Sequence, residues 1–317
     1  MPLPTLNRTR RPRERVSRPV VATPSGIRIW LIAARVRTLP AAIAPVLVGT
    51  ALAGWQHVFH PLRFIAALIG AIFIQIGTNL SNDYSDARRG ADAEDRLGPV
   101  RVTAGGLVPP SRVLVATYLT FGVAVLAGIY LTVVAGWQLL LVGAASILAG
   151  VLYTGGPKPY GYEGLGELFV FLFFGIVAVA GSYFVQTKHL IWEAFALAVP
   201  VGLLASAILM VNNYRDLDSD RRAGKHTLAV RLGRASTRSV FATIVYGAFV
   251  LAPVTWVFGP MRPWVLLPWL TLPLAAEVVR AVRNRTDGPS LNQALANSGL
   301  LQLSFCTLLA AGLLLSR

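Results

Sequence analysis

The sequence RFIAALIGAIFIQIGTNLSNDYSDARRGAD, residues 63–92, joins a long apolar segment to three aspartates, Asp83, Asp86 and Asp92. Only 14% of the 317 residues are charged, so three carboxylates within ten positions are an unusual concentration for this chain. They begin where the apolar segment ends. The stretch therefore predicts a helix in apolar surroundings, and it makes the acids at the end of that helix candidates for a functional site.

The composition indicates a membrane protein. Hydrophobic residues make up 55% of the chain, whereas soluble domains have about 45–50% apolar and about 25% charged residues. The single cysteine, Cys306, excludes an internal disulfide, and four scattered histidines do not form a metal cluster. Residues 1–25 are arginine-rich and have no apolar core, so we expect a disordered basic cytoplasmic tail and no cleavable signal peptide.

Hydropathy predicts an all-α integral membrane protein with nine transmembrane helices in residues 26–317. A helix needs about 20 apolar residues to cross a hydrocarbon core of roughly 30 Å. Nine such segments occur, separated by Gly, Pro or charged residues. They are residues 29–53, 63–81, 113–135, 138–156, 166–186, 191–211, 238–258, 264–281 and 293–315.

The basic residues predict the orientation, because connections rich in Lys and Arg stay in the cytoplasm. With the amino terminus inside, 25 of the 29 Lys and Arg residues fall on the cytoplasmic side. This places a multi-pass protein in the cell membrane with its carboxyl terminus outside. The tail either serves this topology alone or also contacts anionic lipid. No aromatic residue is interleaved in it, so we expect no nucleic-acid partner.

The acidic residues form two groups at cytoplasmic ends of predicted helices. Eight of the 14 acids lie within residues 83–95 and 216–220. If the helices continue, Asn79, Asp83 and Asp86 share one face at i, i+4 and i+7. The second group repeats this pattern at i, i+4 and i+8 with residues Asn212, Asp216 and Asp220.

Two carboxylates one helical turn apart repel each other, so each column calls for a cation. Oxygen ligands select a hard ion, and Mg²⁺ typically binds one or two carboxylates together with substrate phosphates. A diphosphate bridged by Mg²⁺ between the columns satisfies both requirements. The predicted metal ligands are Asp83, Asp86, Asp216 and Asp220.

The alternative is that these acids face water, cap helices or pair with neighbouring arginines, which is the ordinary role of a single Asp at a membrane boundary. Two matching columns in a carboxylate-poor chain favour the metal–diphosphate hypothesis. Asp218 is outside its column, and Asp92, Glu94 and Asp95 fall in a loop. For these four residues, ligation and solvation both remain open.

Four stretches follow one another along the chain: NLSNDYSDARRGAD (79–92), DRLGPVRVTAGGLVPP (95–110), YTGGPKPYGYEGLGELFVFLFFG (153–175) and NNYRDLDSDRRAGKHTLAVRLG (212–233). Together they resemble the UbiA superfamily of intramembrane aromatic prenyltransferases, and within it the MenA branch of menaquinone biosynthesis. The resemblance extends from residue 34 to the end. It implies nine helices around a central cavity, a Mg²⁺-bound polyprenyl diphosphate, and an aromatic acceptor entering from the cytoplasm.

The resemblance also implies roles for individual residues. The first motif matches at Asn82, Asp83 and Asp86, with Asn79 one turn earlier, but Gly90 stands where the general pattern has a third Asp. Further residues carried over from the family are Asn212, Asn213, Asp216, Asp220, Lys225, Tyr153, Lys158 and Arg37.

General chemistry adds to these assignments. Lys158, Lys225 and Arg215 are expected to contact phosphate oxygens, with Lys158 among the catalytic residues. The rings of Tyr153, Tyr160 and Tyr162 either stabilise a carbocation or only mark the membrane boundary. Glu163 and Glu167 either bind the acceptor or favour a helix N-terminus. The glycine-rich loops 103–110 and 153–166 lack the spacing of a P-loop; they either form cytoplasmic caps over the site, as we expect, or only connect helices.

The resulting hypothesis is transfer of a polyprenyl group to 1,4-dihydroxy-2-naphthoate, with release of diphosphate and CO₂. One alternative is a related enzyme with 4-hydroxybenzoate or another phenol as acceptor. A second is a transporter or Mg²⁺ permease, although transport sites tend to lie near the bilayer midplane and these acids lie at helix ends. Isoprenoid length and oligomeric state have no signal in the sequence.

Overall fold

The computed structural model describes residues 26–91, 97–98 and 100–317, and every regular element within them is helical. The α-helices are α1 Gly26–Ala34, α2 Pro40–Trp55, α3 Pro61–Arg88, α4 Pro110–Ala135, α5 Gln138–Leu152, α6 Gly166–Val170, α7 Ala178–Thr187, α8 Trp192–Arg215, α9 Leu217–Arg222, α10 Leu228–Leu251, α11 Val254–Val257, α12 Leu272–Asn284 and α13 Gly288–Leu315. A π-helix, Phe171–Val177, joins α6 to α7. The all-α class is confirmed, whereas the predictions for residues 1–25, Asp92, Glu94 and Asp95 lie outside the described residues.

The number of spans differs from the nine expected. Seven helical segments of the described chain are long and apolar enough to cross a membrane: Pro61–Arg88, Pro110–Ala135, Gly166–Thr187, Trp192–Arg215, Leu228–Val257, Pro263–Asn284 and Gly288–Leu315. An eighth is the pair Gly26–Thr38 and Pro40–Trp55, which bends by 51°. Helix α5 has 15 residues, or about 22 Å, which is short of the roughly 30 Å hydrocarbon core.

The bend in the first span has a local cause. Arg35 adopts the left-handed conformation with φ 52°, so α1 ends one residue before it. Helix α2 then begins at Pro40, whose ring fixes a helical φ but provides no backbone N–H. The segment 29–53, predicted as one span, therefore folds as two helices that meet at an angle.

Helix α8 lies at the centre of the bundle and packs against α2, α7, α10 and α13. In the apolar 18-residue stretch of α8, 72% of the residues are buried inside the protein, compared with 22% in the corresponding stretch of α4. Lipid tails are as apolar as leucine, so membrane helices associate through close packing of small residues. A Cβ built on Gly175 would lie 2.7 Å from Cα of Gly202. These two glycines therefore let the π-helix approach α8 backbone to backbone.

The helices enclose a cavity of about 880 Å³. Its walls come from α3, α4, α5, the π-helix and α7, and the α1–α2 segment and α8 complete them. Apolar and small side chains line most of it. The exception is one end, where the polar termini of α3 and α8 meet. This arrangement places a small polar site at the end of a long apolar chamber.

We expect Gly175→Ala to lower the free energy of unfolding by about 1–3 kcal/mol, because the added methyl group forces two backbones apart. Gly122→Ala in α4 is the control: its side is exposed and a Cβ there meets nothing within 4 Å. The free energy of unfolding of the Gly122→Ala variant should be unchanged or higher by up to about 1 kcal/mol, because alanine favours the helix over glycine. Thermal unfolding in one detergent measures both, and equal melting temperatures would contradict the proposed contact.

Candidate active site

The first Asn/Asp column lies on α3, which remains helical through Arg88. Asn79, Asn82, Asp83 and Asp86 all line the cavity, and each is at most 4% exposed. Buried carboxylates are costly unless they are hydrogen-bonded or paired with cations. Their partners therefore define the site.

The second column begins on α8 and crosses a helix break. Helix α8 ends at Arg215, and Asp216 separates it from α9 with φ −90° and ψ 6°. Helical hydrogen bonds still cross this break, because the N–H of Asp216 donates to Asn212 O (3.2 Å) and that of Asp220 to Asp216 O (2.8 Å). Asn212, Asn213, Asp216 and Asp220 consequently line the same cavity as the α3 column.

Asp86 is the point at which the two halves of the site meet. Its carboxylate accepts a hydrogen bond from the Tyr162 hydroxyl (2.6 Å) and pairs with Lys225 Nζ (3.2 Å) and Arg101 (3.3 Å). The Lys225 ammonium lies 4.9 Å from the Tyr162 ring centroid, a cation–π distance. Lys225 follows α9, so one ion pair joins the second motif directly to the first.

Asp83 holds the loop that follows α3. Its two carboxylate oxygens accept hydrogen bonds from the backbone N–H groups of Val102 (3.1 Å) and Thr103 (2.9 Å). The loop closes on itself, because the N–H groups of Leu107 and Val108 both donate to Val102 O. Asp83 therefore positions the segment that brings Arg101 to Asp86.

Arg215 makes a dense network although it is only 1% exposed. Its guanidinium donates to both carboxylate oxygens of Asp216 (2.8 and 2.7 Å), to Asn212 (2.9 Å) and to Asn292 of α13 (2.8 Å). A Cβ on residue 98 would lie 2.6 Å from the same guanidinium, which explains the glycine there. Arg215 thus organises the second column and connects it to the last helix.

The predicted amide residues bind neighbouring segments at the cavity wall. Asn79 donates to Ala34 O (3.0 Å) and holds the end of α1. Asn82 accepts from the Thr154 hydroxyl (3.0 Å) after α5. Asn213 donates to one oxygen of the buried Glu167 carboxylate (2.9 Å), whose other oxygen has no hydrogen-bond partner among the described residues.

Tyrosines and phenylalanines form a continuous part of the wall. Tyr153 packs edge-on against Tyr160 at 5.5 Å, and Tyr160 stacks on Phe169 at 4.0 Å between centroids. Burial first, and then the nearby Glu167 carboxylate, raises the pKa of Tyr153 well above that of a free phenol. Both effects disfavour the phenolate, so Tyr153 carries a neutral hydroxyl at physiological pH.

Of the two remaining predicted residues, one lines the cavity and the other does not. Arg37 lines the cavity on the segment between α1 and α2. Lys158 is exposed and is not among the lining residues. The structure therefore brings Lys225, Arg215 and Arg37 to the cavity, whereas the catalytic role of Lys158 remains a prediction.

Three contributors were absent from the sequence-based site. Arg101 lies in the stretch 95–110 that resembles the family, just before the glycine-rich loop 103–110, but was given no site role, and Thr154 lies beside the selected Tyr153. Asn292 lies in the first turns of α13, far from both motifs. Asn292 has no local sequence signal, and only tertiary contact reveals its role.

The donor set fits a magnesium ion that is shared with a substrate. The cavity end offers only oxygen ligands from carboxylates and amides, which a hard cation prefers. Among the described residues, no three His, Cys, Asp or Glu side chains cluster closely enough to hold an ion alone. Mg²⁺ usually binds through one or two carboxylates plus phosphates and water, so this spread arrangement suits an ion brought together with a diphosphate.

The model of the UbiA prenyltransferase family matches residues 42–309. The chain belongs to the UbiA prenyltransferase family. Among curated relatives of this UbiA-family protein, the 1,4-dihydroxy-2-naphthoate octaprenyltransferase of Mycobacterium tuberculosis is 42% identical, over 90% of this chain and 96% of the relative. The Escherichia coli protein of the same name is 41% identical, over 81% and 86%.

Solved structures share the fold of this UbiA-family protein. A UbiA homologue from Archaeoglobus fulgidus bound to DMAPP and Mg²⁺ superposes with a TM-score of 0.63 and 11% sequence identity, covering 88% of this chain and 98% of that one. The apo structure of a UbiA homologue from Aeropyrum pernix gives a TM-score of 0.65 at 14% identity, over 87% and 97%. The helical architecture is therefore retained at low sequence similarity.

Variants of two lysines test whether a place in the cavity or a match to the family motif better predicts a role in activity. We expect Lys225→Met to lower kcat/KM for the prenyl diphosphate by about 10²-fold, the scale of one lost contact to a developing negative charge. Lys158→Met should change it by less than about threefold, because exposed charges contribute little. Steady-state kinetics measures both, at matched melting temperatures. A larger loss for Lys158→Met would contradict the assignment.

The raised pKa of Tyr153 predicts how activity depends on pH. Because its hydroxyl stays protonated into the alkaline range, Tyr153 does not produce any fall in activity above neutral pH. Tyr153→Phe should lower kcat/KM if the hydroxyl contacts substrate, while the alkaline limb of the pH–rate profile keeps its apparent pKa. A shift of that limb in the variant would show that Tyr153 itself titrates.

Proposed function

We propose that this protein transfers a polyprenyl group from a polyprenyl diphosphate to 1,4-dihydroxy-2-naphthoate, releasing diphosphate and CO₂ and giving demethylmenaquinol. The observation that carries the proposal is the meeting of two Asn/Asp columns at one end of an otherwise apolar cavity. The names of the relatives support the acceptor. The geometry described above supports the role that we propose for each site residue.

The cavity suits a donor with a charged head and a long apolar tail. Lys225, Arg215 and Arg101 supply cationic N–H groups at the polar end, where the diphosphate binds. The tail lies along the apolar walls, which keep it out of water as the bilayer does; exposure to water would cost roughly 0.8 kcal/mol for each CH₂. A membrane-embedded chamber also receives the donor directly from the bilayer.

We assign Asp83, Asp86, Asp216 and Asp220 to holding Mg²⁺ together with diphosphate oxygens. The bound metal would supply Lewis-acid neutralisation of the leaving group. The solved UbiA homologue from Archaeoglobus fulgidus bound to DMAPP and Mg²⁺ supports this. Asp83 also accepts two backbone hydrogen bonds, so it contributes to loop position as well as charge.

The reaction breaks the allylic C–O bond, and the bonding electron pair leaves with the diphosphate. The electron-rich ring attacks the allylic carbon and forms the new C–C bond. Loss of the acceptor carboxylate as CO₂ balances the substitution without net consumption of a proton. The buried walls exclude water, which would otherwise capture the cation, and the ring faces of Tyr153 and Tyr160 are suitable for stabilising it.

The acceptor needs a cation for its carboxylate and polar partners for its hydroxyl groups. Arg37 lines the cavity on the bent segment after α1, and we assign it to the carboxylate. Asn82, Asn212 and Asn213 are available from the opposite walls. A hydroxybenzoate presents the same carboxylate, so the acceptor has to be distinguished by experiment.

We also propose the orientation indicated by the basic residues. The aspartate columns and their loops then face the cytoplasm as caps over the cavity, and the carboxyl terminus lies outside the cell membrane. The short helix α5 and the bent α1–α2 pair count as spans in this topology. Nine segments then place both aspartate motifs on one side, where a water-soluble acceptor can enter.

Purified protein with Mg²⁺, a polyprenyl diphosphate and 1,4-dihydroxy-2-naphthoate should yield demethylmenaquinol by mass spectrometry, with equimolar diphosphate. EDTA should abolish turnover and Mg²⁺ restore it. Asp86→Asn and Asp216→Asn should each lower turnover by at least about 10²-fold, because a charged ligand is lost. Asp218→Asn is the control, since Asp218 pairs with Arg234 at the surface with its side chain 58% exposed, and should retain near-normal activity.

Other outcomes separate the alternatives. Prenylation of 4-hydroxybenzoate in preference to the naphthoate would keep the reaction and change the acceptor. Normal turnover in Asp86→Asn and Asp216→Asn would contradict the site. Mg²⁺ flux in proteoliposomes, with no prenylated product from any acceptor, would replace the enzyme with a transporter.

A further inference from the structure

Two structural groups of glycines stand out among those in the helices. One group lies at close helix contacts: a Cβ on Gly175 or Gly202 would lie within 3.0 Å of the opposite backbone. The second group faces the cavity. It consists of Gly70 on α3, Gly128 on α4, Gly143 on α5 and Gly181 on α7.

Neither packing nor backbone geometry requires glycine in the second group. A Cβ on Gly128, Gly143 or Gly181 would meet nothing within 4 Å, and on Gly70 only Ala127 Cβ at 4.0 Å. None of the four has a positive φ. Glycine in a helix costs about 1 kcal/mol relative to alanine. What the four share is that they leave space inside the cavity.

Helix rise places two of the four glycines along the cavity, and Gly128 follows Ala127, the residue that faces Gly70. Gly143 precedes Tyr153 by ten residues and Gly70 precedes Asp86 by sixteen, or roughly 15 and 24 Å of helix at 1.5 Å per residue. An extended isoprene unit adds roughly 5 Å, from four chain bonds of about 1.5 Å each. At roughly 5 Å for each unit, Gly143 is therefore about three isoprene units from the level of Tyr153, and Gly70 about five units from the level of Asp86.

We propose that Gly70, Gly128, Gly143 and Gly181 determine the length of prenyl donor that the protein accepts, by keeping the deep part of the cavity wide enough for the distal isoprene units. The inference rests on the proposed prenyl transfer. A two-unit donor ends roughly 10 Å from its diphosphate, short of the roughly 15 and 24 Å of helix that lead to Gly143 and Gly70. Only longer donors use the space.

Leucine substitutions test this directly. Gly128→Leu and Gly181→Leu add a side chain into open space, and leucine favours the helix over glycine, so both variants should fold. With geranyl diphosphate, kcat/KM should stay within about twofold of the wild type. With octaprenyl diphosphate, it should fall by about tenfold or more, the effect of overfilling a packed site.

The matched control is Gly122→Leu, six residues from Gly128 on the same helix. Gly122 has equal room for a Cβ, but it is exposed and does not line the cavity. Its donor preference should equal that of the wild type. Melting temperature and gel filtration in detergent check the fold of all three variants.

The outcomes separate this inference from the function on which it rests. If the wild type uses both donors and the Gly128→Leu and Gly181→Leu variants keep its ratio of octaprenyl to geranyl kcat/KM, the inference is overturned and the function stands. If the control changes that ratio as much as the cavity variants, the effect is not due to the cavity and the inference is again overturned. If the wild type transfers neither donor to any acceptor, the proposed function itself fails.

Discussion

The ion pair between Asp86 and Lys225 is the contact on which the rest of the site depends. The two residues are 139 positions apart, on separate motifs, and their atoms lie 3.2 Å apart where both side chains are almost completely buried. A buried charge that loses its partner is strongly destabilising. The helices that carry these motifs are therefore constrained to meet at one end, with Tyr162 and Arg101 completing the environment of the carboxylate. The cavity follows from this constraint, because α3 and α8 are joined at their termini while other helices hold their apolar stretches apart.

Hydropathy and spacing predicted much of this fold. Each of the nine predicted segments is helical in the described chain, because backbone groups in an apolar environment must satisfy their hydrogen bonds within a helix. The alignment of Asn79, Asp83 and Asp86 on one wall also followed from helical periodicity. Hydropathy did not predict the bend at Arg35, because it treats residues 29–53 as one span and a left-handed conformation is uncommon for a residue other than glycine. The predicted segment 138–156 also extended beyond α5, which ends at Leu152, just before Gly155, Gly156 and Pro157.

Within the site, sequence spacing predicted which aspartates line the cavity better than it predicted which side chains they contact. Asp216 and Asp220 line the cavity as their spacing indicated, although the helix breaks at Asp216; backbone hydrogen bonds from Asp216 to Asn212 and from Asp220 to Asp216 preserve the column. Lys158 and Lys225 looked equivalent as loop lysines beside motifs. Only the path of each loop distinguishes them, and it turns Lys158 outward and Lys225 towards Asp86. Asn292 shows the limit most clearly, because its hydrogen bond to Arg215 spans 77 positions and leaves no periodic trace.

Both signs of charge lie at one end of the cavity, and this suits a site that handles a metal and a diphosphate. Asp86 and Asp216, the acids assigned to the metal, are paired with Lys225 and Arg215, the cations assigned to phosphate oxygens. Folding can bury these groups because each charge has a partner. A metal–diphosphate complex offers the acids a cation and the basic residues an anion, so it can replace the internal pairs with little change in net charge. The same pairing that stabilises the folded bundle thus keeps the site complementary to its proposed substrate.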